Sequence, residues 1–192
     1  MTGPMDAVLR RCGATMTERH GHAVAAHFGS AASEAAVCRR TVGLAERGDR
    51  VTLEVHGPPD AVDAALATLA VLGGDAWSVR TAPPSALVRC EWPNAEAIEA
   101  ALTAVPGVSV RDRGDELVAL CLVGPKAAAV LDAAGVGTAR APAVVVPEGP
   151  RCIEVLVAAA EGPVLWGRLL DAGRPCSIAC VGVDAIEHLF VS

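Results

Sequence analysis

The chain has 192 residues, a formal net charge of −6 and a hydrophobic content of 52%, with no tyrosine and few other aromatic residues. It is long enough to bury a full core, and it lacks a basic stripe that could neutralise a phosphate backbone. No apolar run reaches the roughly eighteen residues of a membrane span, and the first residues lack the hydrophobic segment of a secretion signal. We therefore expect a cytoplasmic protein that binds neither nucleic acid nor membrane.

Cysteine and histidine patterns indicate structural roles. The seven cysteines are odd in number and form no CxxC pair, and most of them lie in apolar segments, where a free thiol behaves as a small hydrophobe. His20, His22 and His27 in HGHAVAAH give a weak metal pattern without a partner cysteine or carboxylate at a ligand spacing. We expect no metal.

The first half of the chain alternates predicted helices and strands. Residues 1–20 are expected to be a loosely held lead-in, and Ser30 is suited to cap a helix that Gly43 ends. A strand is predicted at 51–55, and the spacing of Val62, Leu66 and Leu69 then indicates a helix.

Two further strands, at 77–80 and 86–91, lead into Trp92-Pro93-Asn94. Asn94 is suited to cap the next helix, in which Ile98, Leu102 and Val105 would form the buried stripe.

The second half repeats this pattern and ends with a helix in DAIEHLF. Its predicted strands lie at 108–111, 117–123, 144–146, 152–157 and 175–181. Because many strands pair between packed helices, the pattern predicts an α+β fold with antiparallel and mixed sheets.

Glu154 is the one carboxylate inside the apolar strand CIEVLV. The strand period of two places Cys152, Glu154 and Leu156 on one face. From the residues alone, Glu154 is either solvated on an open sheet face or reserved for a partner rich in hydrogen-bond donors.

A similarity between two segments of the sequence indicates two similar halves, of about 21–105 and 106–192, within a single domain. LEVHGPPDAVDAAL and ALCLVGPKAAAVLDAA share a strand, a Gly-Pro turn and an alanine-rich helix. Glycine permits the sharp turn, and proline is tolerated in a first helical turn, so we expect both Gly-Pro pairs to be structural.

Three blocks of sequence carry a family resemblance. The first, GHAVAAHFGSAASEAAVCRRTVGLAERGDRVTLEVHGPPDA, contains Phe-Gly, a helix with Glu and Arg, and Val-Gly-Leu before a strand and Gly-Pro. The second is DRGDELVALCLVGPKAAAVL, and the third joins RCIEVLVAAAEGPVLWGRLLDAG to GVDAIEHL. In this order they resemble the folate-binding domain of the glycine-cleavage-system T-protein (aminomethyltransferase) family, without its C-terminal barrel.

The resemblance implies that tetrahydrofolate binds in a central cavity, with a strand glutamate holding the amino-pyrimidine edge. Glu154 matches that glutamate, and Gly149 matches a glycine of the preceding turn. Asn94 falls near the family's folate-contacting asparagine segment, as an alternative to its role as a helix cap. Trp92 either stacks on a flat ring or fills core space.

The departures from the family pattern concern catalysis. The segment in which the family keeps its Thr-Asn-Asp is too short here, and Asp75 is the nearby carboxylate that could replace the aspartate, or else a turn residue. The general base is not identified.

Three functions follow. The first is a folate-dependent transferase that moves a one-carbon group to or from a small molecule. The second is an accessory subunit that works with a larger protein partner, similar to the gamma subunit of heterotetrameric sarcosine oxidase. A homodimer is the alternative assembly. The third is the same fold reused for unrelated small-molecule chemistry.

Overall fold

A computed structural model describes residues 3–72, 76–81, 84–137, 143–147 and 152–190. The chain divides into two compact units: residues 1–48 with 117–192, and residues 49–116. In the sequence, the second unit lies between the two segments of the first. Its last strand pairs with its own first strand, so both ends of the insertion return to the same sheet.

The larger unit is built on a mixed five-stranded sheet in the order β11-β3-β8-β10-β9. Its strands are β3 (Gly43–Glu46), β8 (Leu117–Val123), β9 (Val144–Pro147), β10 (Cys152–Ala158) and β11 (Ala179–Cys180). All neighbours are antiparallel except β11 and β3. The runs LVALCLV and CIEVLV are almost continuously apolar because β8 and β10 are buried on both faces.

Helices and a separate hairpin complete this unit. The hairpin consists of β1 (Thr15–Arg19) and β2 (His22–His27). The helices are α1 (Asp6–Arg11), α2 (Ala31–Arg40), α5 (Ala127–Ala133), α6 (Gly162–Gly173) and α7 (Val183–Phe190). One sheet face packs with α5 and α6 around Leu120, Leu122 and Trp166, and the other packs with α2 and α7 around Cys121 and Val181.

The smaller unit is a four-stranded antiparallel sheet in the order β5-β6-β4-β7, with two helices on one face. Its elements are β4 (Arg50–His56), α3 (Pro59–Leu72), β5 (Trp77–Arg80), β6 (Ser85–Glu91), α4 (Trp92–Thr103) and β7 (Ser109–Asp112). The predicted stripes are confirmed, since Val62, Ile98 and Leu102 are buried. The α+β prediction is confirmed for the fold as a whole. No helix in the described part of the chain is long and apolar enough to cross a membrane.

The N-terminal segment is not the loosely held lead-in that the sequence suggests. It forms α1 and β1, and Leu9 is only 1% exposed. Met5 and Val8 join Leu9 in the main core, so a short helix with one apolar side is fixed by tertiary packing rather than by its own length.

Three local predictions also need correction. Gly43 begins β3 instead of ending α2, whose C-cap is Thr41. Asn94 lies inside the first turn of α4, and Glu91 is the N-cap, because Pro93 is tolerated near the helix start and lets the helix begin at Trp92. Residues 174–176 form a 3₁₀ turn, so the expected strand at 175–181 shortens to β11.

The two Gly-Pro turns are structural, as expected. Gly124 has a φ of +134°, and a Cβ there would meet the carbonyl oxygens of Thr41 and Cys38. A Cβ on Gly57 would stand 2.5 Å from the carbonyl oxygen of Gly107. Each glycine therefore allows one backbone segment to pass close to another.

Glu34 joins α2 to two other segments of the larger unit. It is buried, and its two carboxylate oxygens accept the backbone N–H groups of Phe28 at 2.7 Å and Gly182 at 2.9 Å. Gly182 lies against the backbone of Ala26, where a side chain would clash with the carbonyl group. The start of α7 is therefore fixed both by a charge-assisted hydrogen bond and by close backbone approach.

We expect Gly182→Ala to lower the free energy of unfolding by roughly 3 kcal/mol or more, because the new methyl group overlaps backbone atoms that a packed core holds in place. Gly167→Ala is the matched control in α6, since nothing lies within 4 Å of its added Cβ and alanine favours a helix. Chemical denaturation measures both. Equal stability of the two variants would contradict the close packing described for Gly182.

Candidate functional site

Glu154 lies on β10 with both neighbouring strands paired to it. It stands opposite Cys121 of β8 and Val146 of β9, and it is 0% exposed. Cys152 and Leu156, two residues to either side, are also buried. The solvated interpretation of this carboxylate is therefore wrong. A charge in such surroundings is stable only with donors or a cation close to it.

Arg47 supplies a buried cation in the same unit. It follows β3 and is 5% exposed, and its backbone N–H donates to the carbonyl oxygen of Ala119 at 2.9 Å. That bond extends the β3–β8 register, in which Ala45 stands opposite Cys121. With its period of two, β3 therefore places Arg47 on the sheet face that carries Cys121 and Glu154. No other lysine or arginine among the described residues of this unit is buried.

Cys121 lies on the strand between those that carry these two residues. Its pKa is raised well above the usual value, first by a hydrogen bond with Cys152 and then by burial. The two sulfur atoms are 2.9 Å apart. The charge of Arg47 lowers the pKa of Cys121 and the charge of Glu154 raises it, so both charges lie close enough to act on this thiol. The site is thus a buried sheet face on which a glutamate and an arginine lie near a neutral thiol.

Cys38 of α2 packs over the same face. Burial is the main cause that raises its pKa from 9.0 to about 11, and the carboxylate of Glu34 adds to the effect. Folding therefore favours the protonated thiol. The stability that this provides is complete below the unfolded pKa of 9.0 and is lost as the pH rises toward about 11.

We expect the free energy of unfolding to fall between pH 9.0 and about 11, with Cys38 responsible for about 2 kcal/mol of the decrease. Cys38→Ala should flatten this part of the curve, although it lowers stability at neutral pH by opening a small cavity. Urea titrations at several pH values measure the slope. Cys176→Ala is the control, because that cysteine is only partly buried, in the 3₁₀ turn at residues 174–176. A slope unchanged in Cys38→Ala would refute the assignment.

Trp92 and Asn94, the other predicted ligand contacts, belong to the smaller unit. Both open α4 and are partly exposed. Trp92 packs against the core of that unit beside Ile98 and Leu102, which agrees with its space-filling alternative. Asp75, the candidate for the family's catalytic aspartate, and Gly149 lie outside the described residues.

Sequence reasoning did not single out the buried polar residues of the smaller unit. Arg89 of β6 is 2% exposed and donates through Nη1 to the Thr52 hydroxyl at 2.8 Å and to the Arg50 carbonyl at 3.1 Å. Arg89 and Thr52 are directly opposite in the β4–β6 register, on the face away from α3 and α4. A sequence signal for Arg89 was available. It is the one arginine in the mostly apolar strand SALVRCE, just as Glu154 is the one carboxylate in the apolar strand CIEVLV.

The histidines of the described residues do not come together as a metal-binding group. His56, an exposed residue, has Nδ1 3.0 Å from the Ser85 hydroxyl, and these residues are opposite one another on β4 and β6. The described ranges hold no group of three or more histidine, cysteine or carboxylate side chains arranged to bind a metal.

No protein-family model and no curated protein sequence matches the chain. Solved structures that share its architecture include the two that follow. The glycine cleavage system aminomethyltransferase T from Bartonella henselae superposes with a TM-score of 0.76 over 98% of this chain, at 21% identity. The chain spans 61% of that protein's length.

A chain of the heterotetrameric sarcosine oxidase from Corynebacterium sp. U-96 superposes with a TM-score of 0.55, also at 21% identity. The match covers 78% of this chain and 93% of that one. At these identities the similarity establishes the fold. The chain has an aminomethyltransferase-like, T-protein-like fold.

Proposed function

We propose that this chain binds a reduced folate through Glu154 and serves in the transfer of a one-carbon group to or from a small molecule. The observation that carries the proposal is the complete burial of Glu154 on β10 in a T-protein-like fold. Burying an ionised carboxylate costs several kcal/mol. Hydrogen bonds from specific donors offset that cost.

The pyrimidine edge of a folate suits this acceptor. It presents two adjacent N–H donors, from the 2-amino group and the ring nitrogen next to it, and a carboxylate accepts both at once. Such charge-assisted pairs are strong in a dry site, because the low local dielectric increases their electrostatic energy. Cys121 and Leu156, which flank Glu154 on its sheet face, provide the dry surroundings.

Catalysis in such a site rests on orientation. The folate carries the reactive carbon, so this chain would hold the ring and bring the carbon to the acceptor, and the gain comes from proximity more than from acid–base chemistry. No group among the described residues is assigned as the general base, and Asp75 stays a prediction.

Glu154→Gln tests the proposal. The amide keeps the shape but replaces one acceptor oxygen with a donor, which faces the donors of the ligand. We expect binding of tetrahydrofolate and 5-formyltetrahydrofolate to weaken by about 10- to 100-fold, which corresponds to the loss of one or two charged hydrogen bonds. Isothermal titration calorimetry measures the affinity, and circular dichroism confirms that the variant is folded.

Glu161→Gln is the matched control, since Glu161 is exposed in the 3₁₀ turn just after β10. It should bind as tightly as the unchanged protein. Equal affinity of Glu154→Gln, or no binding of either folate by the unchanged protein, would overturn the proposal.

A second function is favoured by similarity to a chain of an oligomeric enzyme. The match covers 93% of a chain of the heterotetrameric sarcosine oxidase. This similarity supports an accessory subunit that works beside a larger catalytic partner.

The accessory role predicts a stable complex with a flavin-bearing protein. Purification of the tagged chain from its own organism, followed by size-exclusion chromatography with detection of flavin absorbance, would reveal it. If the isolated chain turned over a one-carbon substrate by itself, the accessory role would be contradicted and the transferase role supported.

A further inference from the structure

We propose that Cys12 and Cys180 form a reversible oxidation site, at which a peroxide converts the two thiols into a disulfide that fastens α1 to β11. The inference is independent of the folate function and concerns the N-terminal helix of the larger unit. It follows from two thiols that lie far apart in the sequence but meet in the fold, one of them open to solvent.

The fold brings the end of α1 next to the edge of the five-stranded sheet. Cys12 is the C-cap of α1, and Cys180 ends the edge strand β11. Leu9 and Ala14, on either side of Cys12, pack in the same core as Cys180. The backbone N–H of Ala14 donates to the Leu9 carbonyl oxygen at 3.0 Å, so the chain turns tightly around Cys12. At this point the Cys12 and Cys180 side chains are hydrogen-bonded to each other.

The two thiols differ in their exposure to solvent. Cys12 is exposed, whereas Cys180 is partly buried. Burial is the main cause that raises the pKa of Cys180 from 9.0 to about 12, and the neighbouring Cys12 adds to the effect. Peroxides oxidise thiolates that they can reach, so Cys12 reacts first and Cys180 keeps its proton until the second step.

The oxidation proceeds in two balanced steps. The Cys12 thiolate attacks one oxygen of hydrogen peroxide, the O–O bond breaks, and a sulfenic acid and hydroxide form. The sulfur of Cys180 then attacks the sulfenic sulfur, the S–O bond breaks, and the hydroxyl group leaves as water with the proton of Cys180. The two sulfur atoms together lose two electrons, which the peroxide gains. Two glutathione molecules reverse the reaction by thiol–disulfide exchange and are themselves oxidised to a disulfide.

The disulfide would join two elements that have few local interactions of their own. The helix α1 has six residues, and β11 has two residues that pair with β3. A helix this short forms only with tertiary support. The bond would close a loop from residue 12 to residue 180, nearly the whole chain, and so restrict the unfolded state. We therefore expect oxidation to stabilise the protein.

A second thiol pair provides an internal comparison. The sulfur atoms of Cys121 and Cys152 are 2.9 Å apart, but both residues are buried. The hydrogen bond with Cys152, followed by burial, raises the pKa of Cys121 well above its usual value. A peroxide that acts on the folded protein should therefore leave this pair reduced, although its sulfur atoms lie close together.

Mass spectrometry of the full-length chain tests the inference. The reduced, folded protein is treated with hydrogen peroxide, its remaining thiols are blocked with iodoacetamide in denaturant, and its peptides are mapped without reductant. We expect a cross-linked peptide pair that contains Cys12 and Cys180 and that dithiothreitol releases, with Cys121 and Cys152 alkylated. A disulfide between other cysteines, Cys12 oxidised to a sulfinic acid beside a reduced Cys180, or no oxidation of Cys12 would overturn the proposal.

Cys12→Ser then identifies the thiol that reacts first. Serine has a similar size but cannot form a disulfide, so Cys180 of this variant should stay reduced after the same treatment. Cys176→Ser is the matched control, because Cys176 is also partly buried and lies in the 3₁₀ turn shortly before β11. It should form the disulfide as fully as the unchanged protein. Oxidation of Cys180 to the same extent in Cys12→Ser would refute the assignment.

Urea unfolding measures the effect on stability. We expect the midpoint of the oxidised protein to exceed that of the reduced protein by about 1 M or more, because the closed loop is long. The same peroxide treatment should leave the midpoint of Cys12→Ser unchanged. Equal midpoints for the reduced protein and for protein that carries the disulfide would contradict the fastening of α1 to β11.

Discussion

The cost of burying charge on one face of a sheet is the constraint on which the candidate site depends. Glu154 and Arg47 are both removed from water, and the strands that carry them are fixed in register through β8. Buried charges are tolerated where their geometry is held firmly, since a small displacement leaves a charge without compensation. The nearly continuous apolar strands β8 and β10 provide that firmness, because their side chains pack against helices on both faces of the sheet.

Hydrogen bonds and close backbone contacts fix the positions of the helices in the same unit. The Glu34 carboxylate receives backbone N–H groups from the end of β2 and from the start of α7. Gly124 and Gly182 let chain segments approach where a Cβ would collide. These features hold α2 and α7 against the sheet face that carries Glu154, so the surroundings of the carboxylate are determined by tertiary contacts more than by helix propensity.

Similarity to the two solved structures gives the fold, and the chemistry of individual residues must give the function. The match to the Bartonella aminomethyltransferase covers 98% of this chain, and the match to the sarcosine oxidase chain covers 78%. The transferase function needs a ligand in the region around Glu154. The accessory function needs a partner protein that binds this chain. The burial of Glu154 is the observation on which the ligand proposal depends.

The sequence alone determined most of the elements and the fold class. Val62, Ile98 and Leu102 recur at helical spacing, and the apolar runs of β8 and β10 have few alternatives to buried strands, so these local patterns sufficed. The insertion of the smaller unit, the N-terminal helix and the shortening of β11 were not accessible from sequence, because each depends on pairing or packing between distant segments. Glu154 was identifiable as an unusual strand carboxylate, but its burial was not. Arg47 gave no signal in sequence, since only the register across three strands brings its charge to the face that carries Glu154.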